Sequence, residues 1–139
     1  MKHWILFLIL SVWLIACSPK LVYEPAPPQV LNTQRVVEIV GSVSPWGLDF
    51  MAVAATQDTG IRLLVLSAFG MKLLDAMVEN DRAVIYFKQE KFPPVAVQAF
   101  IRFTRATFVN SCMDEKISYK DARTQAVFEA RPIGGNKCL

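Results

Sequence analysis

Between Arg35 and Phe87 the chain is a series of five short apolar runs separated by turn signals, and a sheet of neighbouring strands is the natural product of that pattern. The runs are Arg35–Val43, with Val36, Val37, Ile39, Val40 and Val43, then Leu48–Thr56, Ile61–Ser67, Met71–Glu79 and Ala83–Phe87. β-Branched side chains are stiff at χ1 and pack well on a pleated surface, so such runs favour strands. The intervening segments, such as Gln57-Asp58-Thr59-Gly60, Ala68-Phe69-Gly70 and Asn80-Asp81, are turn-sized. A parallel crossover needs a dozen residues or more, so successive strands should form an antiparallel meander. In Ile61–Ser67, Leu63 and Val65 point to one face, Leu64 and Leu66 to the other. A sheet apolar on both faces must cover both or expose one deliberately.

After Lys91 the period changes. Pro93 and Pro94 can open a helix, where a missing N–H does no harm. From Val95 onward the polar residues Gln98, Arg102 and Arg105 fall at i, i+4 and i+7, one narrow stripe. Val95, Val97, Phe100, Ile101, Phe103, Ala106 and Phe108 occupy the remaining circumference, so the helix should be buried on most sides, in the concavity of a curved sheet. A helix lying on a membrane carries a wider basic face. Lys116–Lys120 and Gln125–Arg131, flanking Asp121-Ala-Arg-Thr124, read as a further hairpin. The fold class is α+β.

The N-terminus concerns compartment rather than fold. Met-Lys-His precedes Trp4–Ala16, thirteen residues in which only Ser11 is polar, and Cys17 follows. That length suits a signal-peptide core and is short for a spanning helix of about 20 residues. Leu14-Ile15-Ala16-Cys17 resembles the lipobox of bacterial lipoprotein precursors, in which the cut falls before the Cys and the Cys is then acylated; the alternatives are an ordinary signal peptide or an uncleaved anchor. The resemblance implies a signal peptide at 1–16 and lipid attachment at Cys17, with Ser18 matching the outer-membrane class facing the periplasm. Each buried acyl methylene contributes about 0.8 kcal/mol, so a multiply acylated Cys17 would hold without any spanning helix. Residues 17–32 contain Pro19, Pro25, Pro27 and Pro28 and read as an extended tether, leaving 33–139 as the domain. Of 74 hydrophobic residues only 13 lie in 1–16, so 61 of the remaining 123 are apolar and the composition belongs to the domain.

Removing 1–16 also removes His3, the single histidine. Histidine triads, Cys-His dyads and histidine metal sites are then excluded. No Gly-x-Ser-x-Gly, phosphate loop or Ser-x-x-Lys is present, and the adjacent pair Asp114-Glu115 would point apart on an extended segment, as a solvated loop does. No catalytic residue, metal or cofactor is expected. The charge is +3 for the whole chain and +2 without Lys2, which gives no ground for nucleic-acid binding. Cys112 and Cys138 form an even pair in an oxidising compartment, either a disulfide, contributing roughly 3–4 kcal/mol, or two unpaired thiols.

The order of lipid anchor, tether, strand meander, apolar helix and further strands resembles the LolA/LolB family of lipoprotein carriers and receptors. The nearest local match is Ile61-Arg-Leu-Leu-Val-Leu-Ser-Ala-Phe-Gly-Met-Lys-Leu-Leu74, with Ala68-Phe69-Gly70 in the place of the family's loop between two strands. The resemblance covers about residues 35–109, and the chain is shorter than a full receptor. It implies an antiparallel, incompletely closed β-barrel, a half-barrel, wrapped on one apolar helix. It further implies a membrane-contact loop at Phe69, which could equally be a core side chain at a strand end. An acyl chain or lipoprotein would lie against Phe50, Leu64, Leu66, Leu74, Phe100, Ile101 and Phe103, all of which could instead be plain core. The alternative is a structural or accessory lipoprotein of an envelope or secretion complex, using an apolar sheet face as its protein interface.

Overall fold

The computed structural model describes residues 20–25, 36–57, 59–109 and 115–133. Eight strands form one sheet: β1 (Lys20–Tyr23), β2 (Val36–Ser44), β3 (Leu48–Gln57), β4 (Gly60–Ser67), β5 (Lys72–Val78), β6 (Arg82–Lys88), β7 (Ile117–Lys120) and β8 (Val127–Ile133). Helix α1 (Pro94–Thr104) continues into a π-helical turn over Arg105–Val109. Across the sheet the order is β1-β6-β5-β4-β3-β2-β8-β7, so β1 and β7 are its edges and the sheet is open. The fold is α+β.

The meander from β2 to β6 is antiparallel throughout, and each strand ends within one residue of its sequence-based bounds. β8 returns antiparallel beside β2, and β7 closes the series as a hairpin with β8. The expected tether is corrected over four residues. Lys20–Tyr23 lie parallel to Arg82–Ile85 of β6, and the Glu24 N–H donates to the Ile85 carbonyl at 3.0 Å. The prolines fall outside this stretch, Leu21 packs on the core, and the ladder covers what would otherwise be the bare edge of β6.

One face of the sheet meets α1. Val37 and Ile39 of β2, Phe50, Ala52 and Ala54 of β3, Leu63 and Val65 of β4, and Leu74, Ala76 and Val78 of β5 form a single core with Val97, Phe100, Ile101 and Phe103 of α1. The Gln98-Arg102-Arg105 stripe is not a solvated face. Arg102 makes a two-point ion pair with Asp121, Nε to Oδ1 at 2.6 Å and Nη2 to Oδ2 at 2.8 Å. Arg105 donates from Nε to the Glu79 carbonyl at 2.8 Å and from Nη2 to the Arg82 carbonyl at 3.2 Å. The two arginines therefore fasten α1 and its π-helical extension to the β7–β8 turn and the β5–β6 turn.

Strand direction sorts the turns into two groups. The β2–β3 turn (Pro45–Gly47), the β4–β5 turn (Ala68–Met71) and the β7–β8 turn lie at one end of the sheet. The β3–β4 and β5–β6 turns lie at the other, with the start of β1.

Candidate functional site

The residues expected to line an acyl cavity divide between two faces. Leu64 and Leu66 pair with Val53 and Met51 on the outer face of the sheet, opposite α1, where they are half-buried. Strand alternation puts them there, because Leu63 and Val65 take the inward positions. They do not share a space with Phe100, which corrects that part of the expectation.

Phe50, Leu74, Phe100, Ile101 and Phe103 do come together, but as packed core. Phe50 meets Phe100 edge-on at a centroid distance of 5.0 Å, and Phe100 meets Phe128 edge-on at 5.0 Å. Phe103 stacks on Phe128 at 4.7 Å. A side chain facing an empty space wide enough for an acyl chain keeps surface that a water-sized sphere can touch. Phe50 retains 1% and the other four retain 0%, so no such space adjoins them. Gly41 makes this filling possible. It is the register partner of Phe50, and a Cβ there would sit 2.9 Å from the Phe50 ring and 2.6 Å from the Glu129 carbonyl oxygen.

Phe69 lies at the opposite extreme, 94% exposed in the β4–β5 turn. The turn is not loose. The Ser67 N–H donates to the Met71 carbonyl at 2.8 Å, and the Gly70 N–H donates to the Ser67 carbonyl at 2.9 Å. The Ser67 hydroxyl oxygen accepts from the N–H groups of Phe69 at 3.3 Å and Met71 at 3.1 Å. Gly70 has φ +80°, a conformation that glycine adopts without a side-chain penalty. Met71 is exposed in the same turn, and Trp46 is exposed in the β2–β3 turn at the same end of the sheet. Of the two positions open from sequence, Phe69 occupies the exposed one.

From this turn an apolar strip runs onto the outer face. Register places Val40 beside Met51 and Met51 beside Leu66, with Val53 beside Leu64 in the next row. Beyond Leu64 the strip meets charge, where Arg62 grips Asp75 through Nε–Oδ1 and Nη2–Oδ2 contacts of 3.0 Å each. The Arg62 guanidinium also lies 5.0 Å from the Tyr86 ring centroid. Sequence reasoning missed this pair, since its members sit on different strands and face each other only once the β4–β5 register is known.

Two open grooves lie on the surface, one beside the strip and one at the end of the sheet that carries the β3–β4 and β5–β6 turns. One, of about 410 Å³, crosses Val40, Ser42 and Asp49 toward Lys116, Glu129 and Arg131. The other, of about 310 Å³, lies between Thr56–Ile61, Val78–Asn80 and Phe108. Neither is lined by the seven residues expected to hold a ligand. Among the described residues no three of His, Cys, Asp and Glu group as metal ligands would, and no helix is long and apolar enough to cross a membrane. Cys17, Cys112 and Cys138 lie outside the described residues, so the anchor and the disulfide stay expectations. Asp114 lies outside them too, while Glu115 is exposed. Comparison with protein-family models, curated proteins and solved structures gives no match for this chain.

Proposed function

We propose that the chain is a non-enzymatic lipoprotein of the bacterial envelope, anchored through Cys17 to the outer membrane and facing the periplasm. Its domain acts as a structural or accessory module that docks a protein through the exterior apolar surface around Phe69. The supporting observation is the contrast between two sets of aromatic side chains. The rings that an internal acyl site would require are closed against one another, whereas Phe69 stands in water on a turn tied by four hydrogen bonds. Burying a Phe side chain stabilises by about 1.5–3 kcal/mol, so a rigid turn that withholds one from the core reserves that gain for a contact. An open sheet with one helix on its inner face also fits the LolB-like half-barrel wrap, which belongs to this proposal.

Replacing Cys17 by Ser tests the anchor: the protein leaves the membrane fraction or accumulates as uncleaved precursor, and unchanged lipidated protein refutes the assignment. For the docking surface, a soluble domain beginning at Ser18 is titrated with a fluorescent fatty-acid analogue. No saturable uptake is expected. Stoichiometric uptake would overturn the reading in favour of an internal acyl site.

A further inference from the structure

β1 covers the edge of β6 and in doing so presents an edge of its own. The Glu24 N–H donates to the Ile85 carbonyl at 3.0 Å. Backbone groups alternate along a strand, so Lys20, Val22 and Glu24 turn theirs toward β6, whereas Leu21 and Tyr23 turn theirs outward. Among the described residues no strand pairs with that outer edge. Unpaired N–H and C=O groups are a template for another strand unless charge, proline or a bulge blunts them. No bulge interrupts the β1–β6 register, and the two charged residues, Lys20 and Glu24, are opposite in sign and stand at opposite ends. Both are exposed, and among the described residues neither takes part in a salt bridge.

We infer that this edge is a self-association surface, and that its occupant is β1 of a second copy, antiparallel about a two-fold axis at Val22. In that register each Leu21 faces a Tyr23 of the other copy. Both are hydrogen-bonded pairs that exchange two N–H···O bonds, so every outward group of Leu21 and Tyr23 is satisfied. Val22 meets its own counterpart on the axis, and Lys20 stands opposite Glu24 of the other copy at both ends. Opposite charges directly across such a pair stabilise it, and like charges destabilise it. Parallel pairing of the same edges would set Lys20 beside Lys20 and Glu24 beside Glu24. Sliding one strand by two residues either way sets a proline where an N–H is needed, Pro25 opposite Leu21 or Pro19 opposite Tyr23. The flanking prolines thus select one register. Leu21 already packs on the core, and Tyr23, 60% exposed on the same face, would lie beside the second copy's Leu21. The contact stands whether or not Cys17 carries lipid.

Val22→Cys puts two thiols on the axis, where the Cα separation of a non-hydrogen-bonded antiparallel pair, about 4.5 Å, suits a disulfide. Cells producing the full chain are treated with a mild thiol oxidant. Dimer is read on a non-reducing gel against the unsubstituted chain, which has Cys17, Cys112 and Cys138 of its own. Val22→Cys should give dimer well above that level. So should Lys20→Cys and Glu24→Cys chains produced together. Glu24→Cys alone should not, because its two copies stand about four residues apart along the strands, roughly 13 Å. Adding Lys20→Glu to Val22→Cys opposes like charges at both ends and should reduce the dimer about tenfold, and adding Glu24→Lys as well should restore it. No dimer by either thiol route overturns the inference. A dimer indifferent to the charge changes also overturns it, as does a Val22→Cys adduct with a different protein.

Discussion

Replacing Asp121 with asparagine removes the charge against which Arg102 is held, and the size of the loss follows from the geometry. The Asp121 side chain is 1% exposed and that of Arg102 15%. Besides the two-point guanidinium contact, the carboxylate accepts from the Thr124 N–H at 3.0 Å and hydroxyl at 2.5 Å. Burial pushes the Asp121 pKa upward, but these bonds outweigh it and hold the group at about 2, below its ordinary 3.8. That difference corresponds to about 2 kcal/mol of stability at neutral pH. Because the folded-state pKa is depressed, the contribution is complete above about pH 4, about half gone by pH 3, and lost as pH falls through 2. In the Asp121→Asn chain the guanidinium keeps its charge without a counter-charge, and its Nη1 already lacks a hydrogen-bond partner among the described residues. Orphaning a buried charge costs about 3–5 kcal/mol, and the partial exposure of Arg102 favours the lower figure. Urea unfolding of the domain beginning at Ser18, at pH 7, 5 and 3, reads both effects. The substitution should cost about 3 kcal/mol at pH 7 and about 1 kcal/mol less at pH 3. A cost under about 0.5 kcal/mol at pH 7, or one that does not change with pH, would refute the reasoning.

Phe69→Ser should leave the thermal midpoint unchanged within the usual surface range of about 0.5 kcal/mol while abolishing the crosslinked adduct of a probe at position 71. Phe103→Ala opens a hole between Phe50, Phe128 and Tyr119 and should cost about 3–5 kcal/mol by chemical denaturation. It should also create an internal space large enough to take up a small apolar dye, and absence of both effects would contradict close packing of these rings. Gly41→Ala forces a Cβ against the Glu129 carbonyl and the Phe50 ring, and should destabilise by about 1–3 kcal/mol in a thermal melt.

The strands of the meander were legible because each is a β-branched or alternating run bounded by turn residues, information carried within about ten neighbouring positions. β1 was not, because its partner Arg82–Ile85 lies far along the chain and four residues between prolines carry no period of their own. The alternation in β4 correctly separated Leu63 and Val65 from Leu64 and Leu66, but not which pair α1 would cover. Whether the aromatic side chains would line a cavity or fill it depends on volume, decided by Gly41 letting the Phe50 ring advance toward Phe100 and Phe128. The narrow polar stripe of the helix was legible but not its partner, because charge pattern alone does not distinguish a guanidinium in water from one clamped to Asp121, 19 positions later. At Phe69 both roles stayed open in the sequence, and the Ser67 hydroxyl, by gathering the two N–H groups of the turn, resolved them.

β1 also gives the domain a mechanical character. A pull on the chain ahead of Lys20, directed along the strand, meets the whole β1–β6 ladder at once, because its four register pairs stand side to side across the line of force. They must slide together rather than open one after another from an end. Parallel neighbours of this kind share a load as a lap joint does, and the same four residues pulled perpendicular to the sheet would peel singly. A domain held by this strand should therefore resist tension along its long axis far better than tension across it, a difference that single-molecule pulling from position 19 in the two directions would measure.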